Sequence, residues 1–325
     1  MTDPGKLRVA LLALCALAGS VRAEEPVVRL GNLKFAHYGA VSSMKDLCAK
    51  KHGVKVVEHV FAKGVDIIPA ILAGEIDLAA SAVDASISGR ASGAPLVIVA
   101  GFAKGGVRIV GRKALGLKTV AALKGKKVGV ARGGAQEIAL YAELAKAGLT
   151  WSPEGGKDVT VLFLAYADLN QALESGNIDA MCQSEPQSTQ AIARGFGEEI
   201  VKPYDTPLGE PVRALVMTEK LHANRAVASK VMECFVDATR TFLKDPKQAE
   251  KYVREQLFHG QLSAQDYQDA MANASFTYDI TVEHVQTTTD LMVKYGVGKM
   301  VKPPQAKDYV HLELLQQAKK AMGIP

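Results

Sequence analysis

KKVGVARGGAQEIALYAELAKAG, Lys126 to Gly148, is the stretch whose reading decides the fold. A short apolar run, Val128 to Ala131, meets a tight Arg132-Gly133-Gly134 turn, and a helix-forming segment follows. Ile138, Ala139, Leu140, Ala142, Leu144 and Ala145 give that segment a broad apolar face, and Gly148 supplies a stop. A strand feeding a helix through two glycines leaves backbone N–H groups unpaired at the positive end of the helix dipole. That is a place for an anionic or acceptor-rich ligand group. No Gly-Lys-Ser/Thr follows and the order is not G-x-G-x-x-G, so the phosphate-loop and dinucleotide patterns do not apply. Gly133, Gly134 and Gln136 are therefore candidate ligand contacts, with a purely steric βα turn as the rival role.

On the N-terminal side, Val27 to Phe35 reads as a first strand, and the loop Ala36 to Ala40 leads to a helix that Gly53 breaks. Val54 to Phe61 is a second strand, and Asp66 to Ala73 a helix with Pro69 in its first turn. Gly74 to Ser81 turns into a short buried strand, a helix follows from Asp84, and Leu96 to Ala100 is a further strand. Strands alternating with helices at this pace predict parallel sheets covered by helices. Phe102 to Gly111 reads as a turn and an edge strand, on which Lys104 and Arg108 are expected to be solvated. The polar stretch Lys118 to Lys127 reads as a first crossing into a second lobe, and Tyr204 to Pro211 as the return.

Two passages repeat. At an offset of 102 (Asp179 minus Asp77), Gly74 faces Gly176, Ile76 faces Ile178, Asp77 faces Asp179 and Gly93 faces Gly195. The repeat of helix, Gly-x-Ile-Asp, strand and helix predicts two similarly built lobes. Glycine closes the helix, isoleucine enters the core, and aspartate bonds the turn backbone, so both aspartates read as structural.

The 325 residues suffice for two domains, and a hydrophobic share of 48% with 22% charged residues fits a globular chain. Aromatics make up 6%, too few for a nucleic-acid stacking platform. Of the formal charge of +5, Lys6, Arg8 and Arg22 against Asp3 contribute +2, leaving +3, too slight for a polyanionic partner. Residues 1–23 read as a secretory signal: basic Lys6 and Arg8, an apolar Val9 to Ala18, and Val21-Arg22-Ala23 with small residues for cleavage after Ala23. A periplasmic location is expected. Once the signal with Cys15 is removed, Cys48, Cys182 and Cys234 remain, an odd, widely spaced set that reads as buried small hydrophobes, with one long-range disulfide as the alternative. No metal or cofactor is expected, because the histidines lack ligand spacing.

Taken together, ASGAPLVIVAG (Ala91 to Gly101), KGKKVGVARGG (Lys124 to Gly134), GNIDAMCQSEP (Gly176 to Pro186) and DPKQAEKYV (Asp245 to Val253) resemble the solute-binding proteins of nitrate/sulfonate/taurine-type ABC importers. That group includes the binders of thiamine-pyrimidine precursors. The resemblance implies an α/β, two-lobed periplasmic-binding-protein fold of type II, with two hinge crossings and a ligand in the cleft. On this reading lobe I is 24–117 plus 207–325 and lobe II is 118–206. The implied partners are a small-molecule ligand and an inner-membrane ABC permease, with the protein a monomer that binds no nucleic acid.

Loops at strand C-termini would line the cleft. Here they are Ala36 to Gly39, Ser81 to Asp84, Arg132 to Gln136 and Gln183 to Pro186. His37 and Tyr38 can clamp a planar or anionic group, although a loop histidine is usually solvated. Ser81 and Gln183 occupy matching places in the two lobes. Asp84 and Glu185 either contact ligand or cap their helices. Two acids in the cleft would repel a bare sulfonate and suit a ligand with N–H donors at one end, a zwitterion or a substituted heteroaromatic. The alternatives are an enzyme on the same fold acting on a pyrimidine or menaquinone precursor, against which stands the lack of a nucleophile–base pair, and a sensor that presents ligand to a receptor.

Overall fold

The computed structural model describes residues 24–325; the secretory-signal expectation lies outside them. In chain order the strands are β1 (Val27–Leu33), β2 (Lys55–Phe61), β3 (Leu78–Ala82), β4 (Leu96–Gly105), β5 (Val107–Arg112), β6 (Lys127–Val130), β7 (Trp151–Ser152), β8 (Val159–Phe163), β9 (Ala180–Ser184), β10 (Gly197–Val201), β11 (Val212–Thr218) and β12 (Ala274–Phe276). They form two six-stranded sheets, in the orders β12-β4-β11-β3-β1-β2 and β10-β5-β9-β6-β8-β7. Each is parallel on one side and antiparallel on the other. β2, β1 and β3 run parallel, as do β7, β8, β6 and β9, whereas the strands that arrive from the other half join antiparallel.

The repeat is visible in the topology, since β2-β1-β3 and β8-β6-β9 have the same order. It also shows in the register. The Asp77 N–H donates to the Arg29 carbonyl and its carboxylate accepts from the Arg29 N–H, while Asp179 makes the same pair with Lys127. Each aspartate ties the start of one parallel strand to its neighbour, which fixes the side of the sheet that every later side chain faces. Arg29 adds side-chain bonds to Asp77, and Arg112 pairs with Asp179.

The first crossing lies earlier than the sequence reading placed it. Val107–Arg112, read as an edge strand of the first lobe, sits between β10 and β9 inside the second sheet. The chain changes sheets at Gly105 and Gly106, with φ of 72° and 74°, and returns between β10 and β11. A Cβ at Gly105 would lie 2.5 Å from the Asn273 carbonyl oxygen, and one at Gly106 would lie 2.8 Å from the His37 ring. Only glycine supplies both the backbone angle and the clearance here. The polar, glycine-punctuated composition of 118–127 marks an ordinary loop that begins with the 3-10 turn Val120–Leu123.

Helix Ala135–Lys146 is buried on nearly all sides: every residue from Ala135 to Leu144 is buried, Gln136, Glu137 and Glu143 included. It packs on the second sheet and is also covered by helices Val83–Ala91 and Val282–Tyr295 of the other half. Ala82, Ala85 and Ala135 form a small-residue contact across the seam. Lacking large side chains there, the two halves approach closely.

Cys48 and Cys234 are bonded to each other, closing a sequence separation of 186, while Cys182 is free and buried. The assignment of all three as buried thiols is thus corrected for two of them. Long sequence separation hid the pair, because helix Arg225–Lys244 returns to pack beside the helix Met44–Leu47 only in the tertiary fold. Cross-linking so long a loop restricts the unfolded chain. Replacing both cysteines by alanine is expected to cost about 2–4 kcal/mol, read as a lower thermal midpoint of the oxidised protein, with no change in secondary-structure content.

Candidate ligand-binding site

The strand ends of both sheets converge on one buried polar cluster. The 3-10 turn Ala36–Tyr38 after β1 buries His37 and Tyr38 completely, which corrects the expectation of a solvated loop histidine. Phe35 explains the burial: its ring stacks on His37 at 5.8 Å, tilts against Tyr38 at 5.4 Å and meets Tyr166 of the other half edge-on at 5.2 Å. Ala36 N–H reaches the Glu185 carbonyl at 3.4 Å, so this turn joins the two halves directly.

Arginines enter each sheet at the start of a crossing strand. Arg108, on β5, stands opposite Gln183, and Arg213, on β11, stands opposite Ala82. Each is followed in space by an acid just beyond the neighbouring strand, Glu185 and Asp84 respectively. The two pairs differ in one decisive way.

In the second sheet the pair is closed. Arg108 donates to Glu185 and Glu199, and its remaining terminal nitrogen donates to the Asp269 carbonyl at 3.1 Å. This corrects the expectation that Arg108 is a solvated edge residue: its strand is interior, and its side chain spans the seam. Glu185 is 0% exposed and its carboxylate is fully used, accepting from Arg108, from Asn273 Nδ2 at 2.9 Å and from the Thr189 N–H at 3.1 Å. Between the alternatives of helix capping and ligand contact, its bonds fit the first, with the crossing held in addition. Tyr204, on the return crossing, accepts from the Val107 N–H at 3.1 Å and lies 2.9 Å from Asn273 Oδ1.

In the first sheet the pair is open. Arg213 is 1% exposed, yet neither terminal guanidinium nitrogen has a hydrogen-bond partner among the described residues. Both carboxylate oxygens of Asp84 and both ring nitrogens of His37 are buried and equally unpartnered. Asp84 lies in the first turn of helix Val83–Ala91, whose N-cap is Ala82, and no side chain caps it. Burial pushes the Asp84 carboxyl up to about 7; the Arg213 charge opposes that rise and Glu137 adds to it. Burial, aided by Arg213, holds His37 well below its ordinary value, so the ring is neutral at pH 7. An unpaired buried ion costs of order several kcal/mol and an unpaired neutral polar group less, so these groups together point to a ligand that supplies their partners.

The remaining expected residues divide. Gln136 faces the cluster but bonds Ser184, and accepts from Tyr166 at 3.3 Å. Gln183 is used internally, donating to the Tyr166 carbonyl and accepting from the Ser184 N–H. Ser81 donates to the Ala82 carbonyl at 3.2 Å. In the glycine turn, the Gly133 N–H donates to Glu137 of its own helix at 2.7 Å, so that donor is not free for a ligand. A Cβ at Gly133 would lie 2.4 Å from Val65 of the other half, and one at Gly134 would lie 2.2 Å from the Tyr166 hydroxyl. The two glycines are thus points of close approach, the steric role weighed above.

Arg213 was missed, and so were Tyr166 and Asn273. The signal for Arg213 was present: it opens the run RALVMT, and a charge at the start of a wholly buried strand needs a partner.

Asp84 and His37 act on stability with opposite signs. A carboxyl raised to about 7 favours the fold while protonated, so that contribution is lost as pH rises from about 4 toward 7. A depressed histidine penalises the fold as pH falls below about 6.5, where the unfolded ring gains its proton. The two partly cancel in the acid window. The stability of Asp84→Asn relative to the parent, both without ligand, is expected to rise between pH 4 and 7 by up to about 1.4 kcal/mol per pH unit and to level off above. Thermal melts across pH 4–8 measure it, and a constant difference would contradict the assignment.

Residues 22–255 match the model of the NMT1-like family. A protein of Escherichia coli (strain K12) named for binding aliphatic sulfonates is 29% identical over 196 residues, 59% of each chain, so the match spans less than two thirds of that relative. Among solved structures, a ligand-binding component of an ABC-type import system from Staphylococcus aureus superposes with a TM-score of 0.77 at 18% identity, covering 90% of this chain and 99% of that one. The alkanesulfonate-binding protein SsuA from Xanthomonas axonopodis pv. citri, bound to MOPS, gives 0.74 at 22% identity, covering 89% and 99%. These likenesses establish the two-lobed periplasmic-binding-protein fold.

Proposed function

The chain belongs to the NMT1-like family, and we propose that it is the solute-binding component of an ABC importer, exported to the periplasm and working as a monomer with an inner-membrane permease. In this reading one lobe is 24–105 with 212–325 and the other 106–201, and they close on a small organic molecule by rotation at the two crossings. Among the described residues no helix is long and apolar enough to cross a membrane.

The observation that carries the reading is the open Arg213–Asp84 pair. A guanidinium with free terminal nitrogens matches an oxyanion bidentately, which suits a sulfonate. Asp84 and His37 then supply a carboxyl and a neutral ring for a second polar group. An ammonium or ring N–H facing Asp84 would hold it ionised, whereas a ligand that sets an anion against it would keep it protonated. The ligand that satisfies both residues carries an oxyanion and an N–H donor, as a zwitterion or substituted heteroaromatic does.

Binding without turnover is favoured over catalysis by the state of Cys182, the one free thiol among the described residues. Cys182 is buried and its thiol is pushed far above the ordinary value by burial, which leaves no thiolate nucleophile at neutral pH.

Isothermal titration with plain and amino-substituted alkanesulfonates is the direct test. Arg213→Met is expected to weaken the best ligand by at least ~30-fold, about 2 kcal/mol or more, as for loss of one partner of a buried charged contact. Its thermal midpoint without ligand should not fall, because no bond is lost. For an amino-substituted ligand, affinity should decline as pH drops below about 7, where Asp84 takes up its proton. Turnover of the bound molecule, or an Arg213→Met protein of undiminished affinity, would contradict the proposal.

A further inference from the structure

A second cavity lies between the two halves, bordered by Arg132 and Gly133 of the glycine turn. Gly134 touches Tyr166 on the inner side, while its neighbour Gly133 touches Val65 on the outer side. This outer cavity has about 580 Å³, within the range of small-molecule sites, and both halves of the chain line it.

Its walls are aromatic with charged corners. Trp151 stacks on Tyr141 at 4.8 Å with 24° between the ring planes, and Tyr295 of the other half meets Trp151 edge-on at 5.9 Å. The Arg132 guanidinium lies 3.9 Å from the centre of the Phe163 ring. Trp151, Phe163 and Tyr295 are all half-buried, each with part of its surface open to solvent. Within one chain such rings normally pack inward; here residues from both halves present them to a shared space.

We infer that this outer cavity is the second part of the ligand site and takes a planar aromatic or heteroaromatic ring, carried a few atoms from the charged head that Arg213 holds. The inference rests on the solute-binding reading above and adds to it the class of ligand: an aryl or heteroaryl compound with an oxyanion head. The ring lies against Trp151 with Tyr295 facing it from the opposite half, and a short linker past the glycine turn carries the head toward Arg213. Small alkyl compounds would fill only the inner part and leave the rings uncovered.

Trp151 is the one tryptophan of the sequence, so its emission reports on the outer cavity alone. The protein is titrated with 2-phenylethanesulfonate, ethanesulfonate and 2-phenylethanol, followed by Trp151 emission and by calorimetry. The ring-bearing sulfonate is expected to bind at least about tenfold more tightly than the alkyl one and to shift the emission. Trp151→Ala and Tyr295→Ala, on opposite halves, should each bring the ratio of the two affinities toward one. A ratio near one in the parent, or a ratio that neither variant changes, overturns the inference while leaving the solute-binding reading intact. If Arg213→Met costs neither sulfonate any affinity but the ring-bearing probes still shift Trp151, the Arg213 reading fails and the ring site stands. If none of the three probes binds or moves the emission, the outer-cavity inference is overturned.

Discussion

The structure depends on how it treats two buried arginine–carboxylate pairs at the seam between its sheets. Charges removed from water must be repaid by partners of good geometry. Arg108 and Glu185 find them within the chain, with Asn273, Thr189, Glu199 and the Asp269 carbonyl completing the set. Arg213 and Asp84, in the corresponding place of the other sheet, do not. The closed pair fastens the crossing, and the open pair has no partner within the described chain. The same local design, an arginine at the start of a crossing strand and an acid beyond its neighbour, yields a structural joint in one half and an unpartnered pair in the other, the one proposed above to hold the ligand.

The crossing itself explains why the two pairs can coexist. Gly105 and Gly106 turn the chain between sheets at angles that residues with a Cβ rarely adopt, pressed against the Asn273 carbonyl and the His37 ring. Tyr204 and Asn273 bind the outgoing and returning strands together. Across the seam the alanines Ala82, Ala85 and Ala135 meet closely, with larger contacts at Phe35–Tyr166 and Trp151–Tyr295.

Much of this was legible in the residues. The strand–Gly-Gly–helix reading of 126–148 holds as β6 followed by helix Ala135–Lys146, and the Gly-x-Ile-Asp repeat corresponds to two sheets with matching strand order. Asp77 and Asp179 act on the backbone, as their short-range chemistry implies. What escaped the reading involves partners distant in sequence: Cys48 with Cys234, Arg108 with Glu185, and the burial of His37 under Phe35 and Tyr166. Val107–Arg112 was given to the wrong sheet because its alternation fits an edge strand as well as an interior one, and only its pairing with β9 and β10 distinguishes them.

By itself, then, the sequence determined the elements, their α/β alternation and the doubling of the architecture, because hydrophobic period, glycine stops and turn aspartates are written in neighbouring residues. Only the tertiary structure decided which charges lack partners, since whether a buried arginine is satisfied depends on side chains that arrive from elements far apart in the chain. On the proposed function, recognition is a matter of what the fold leaves unpaired, and no local pattern states that.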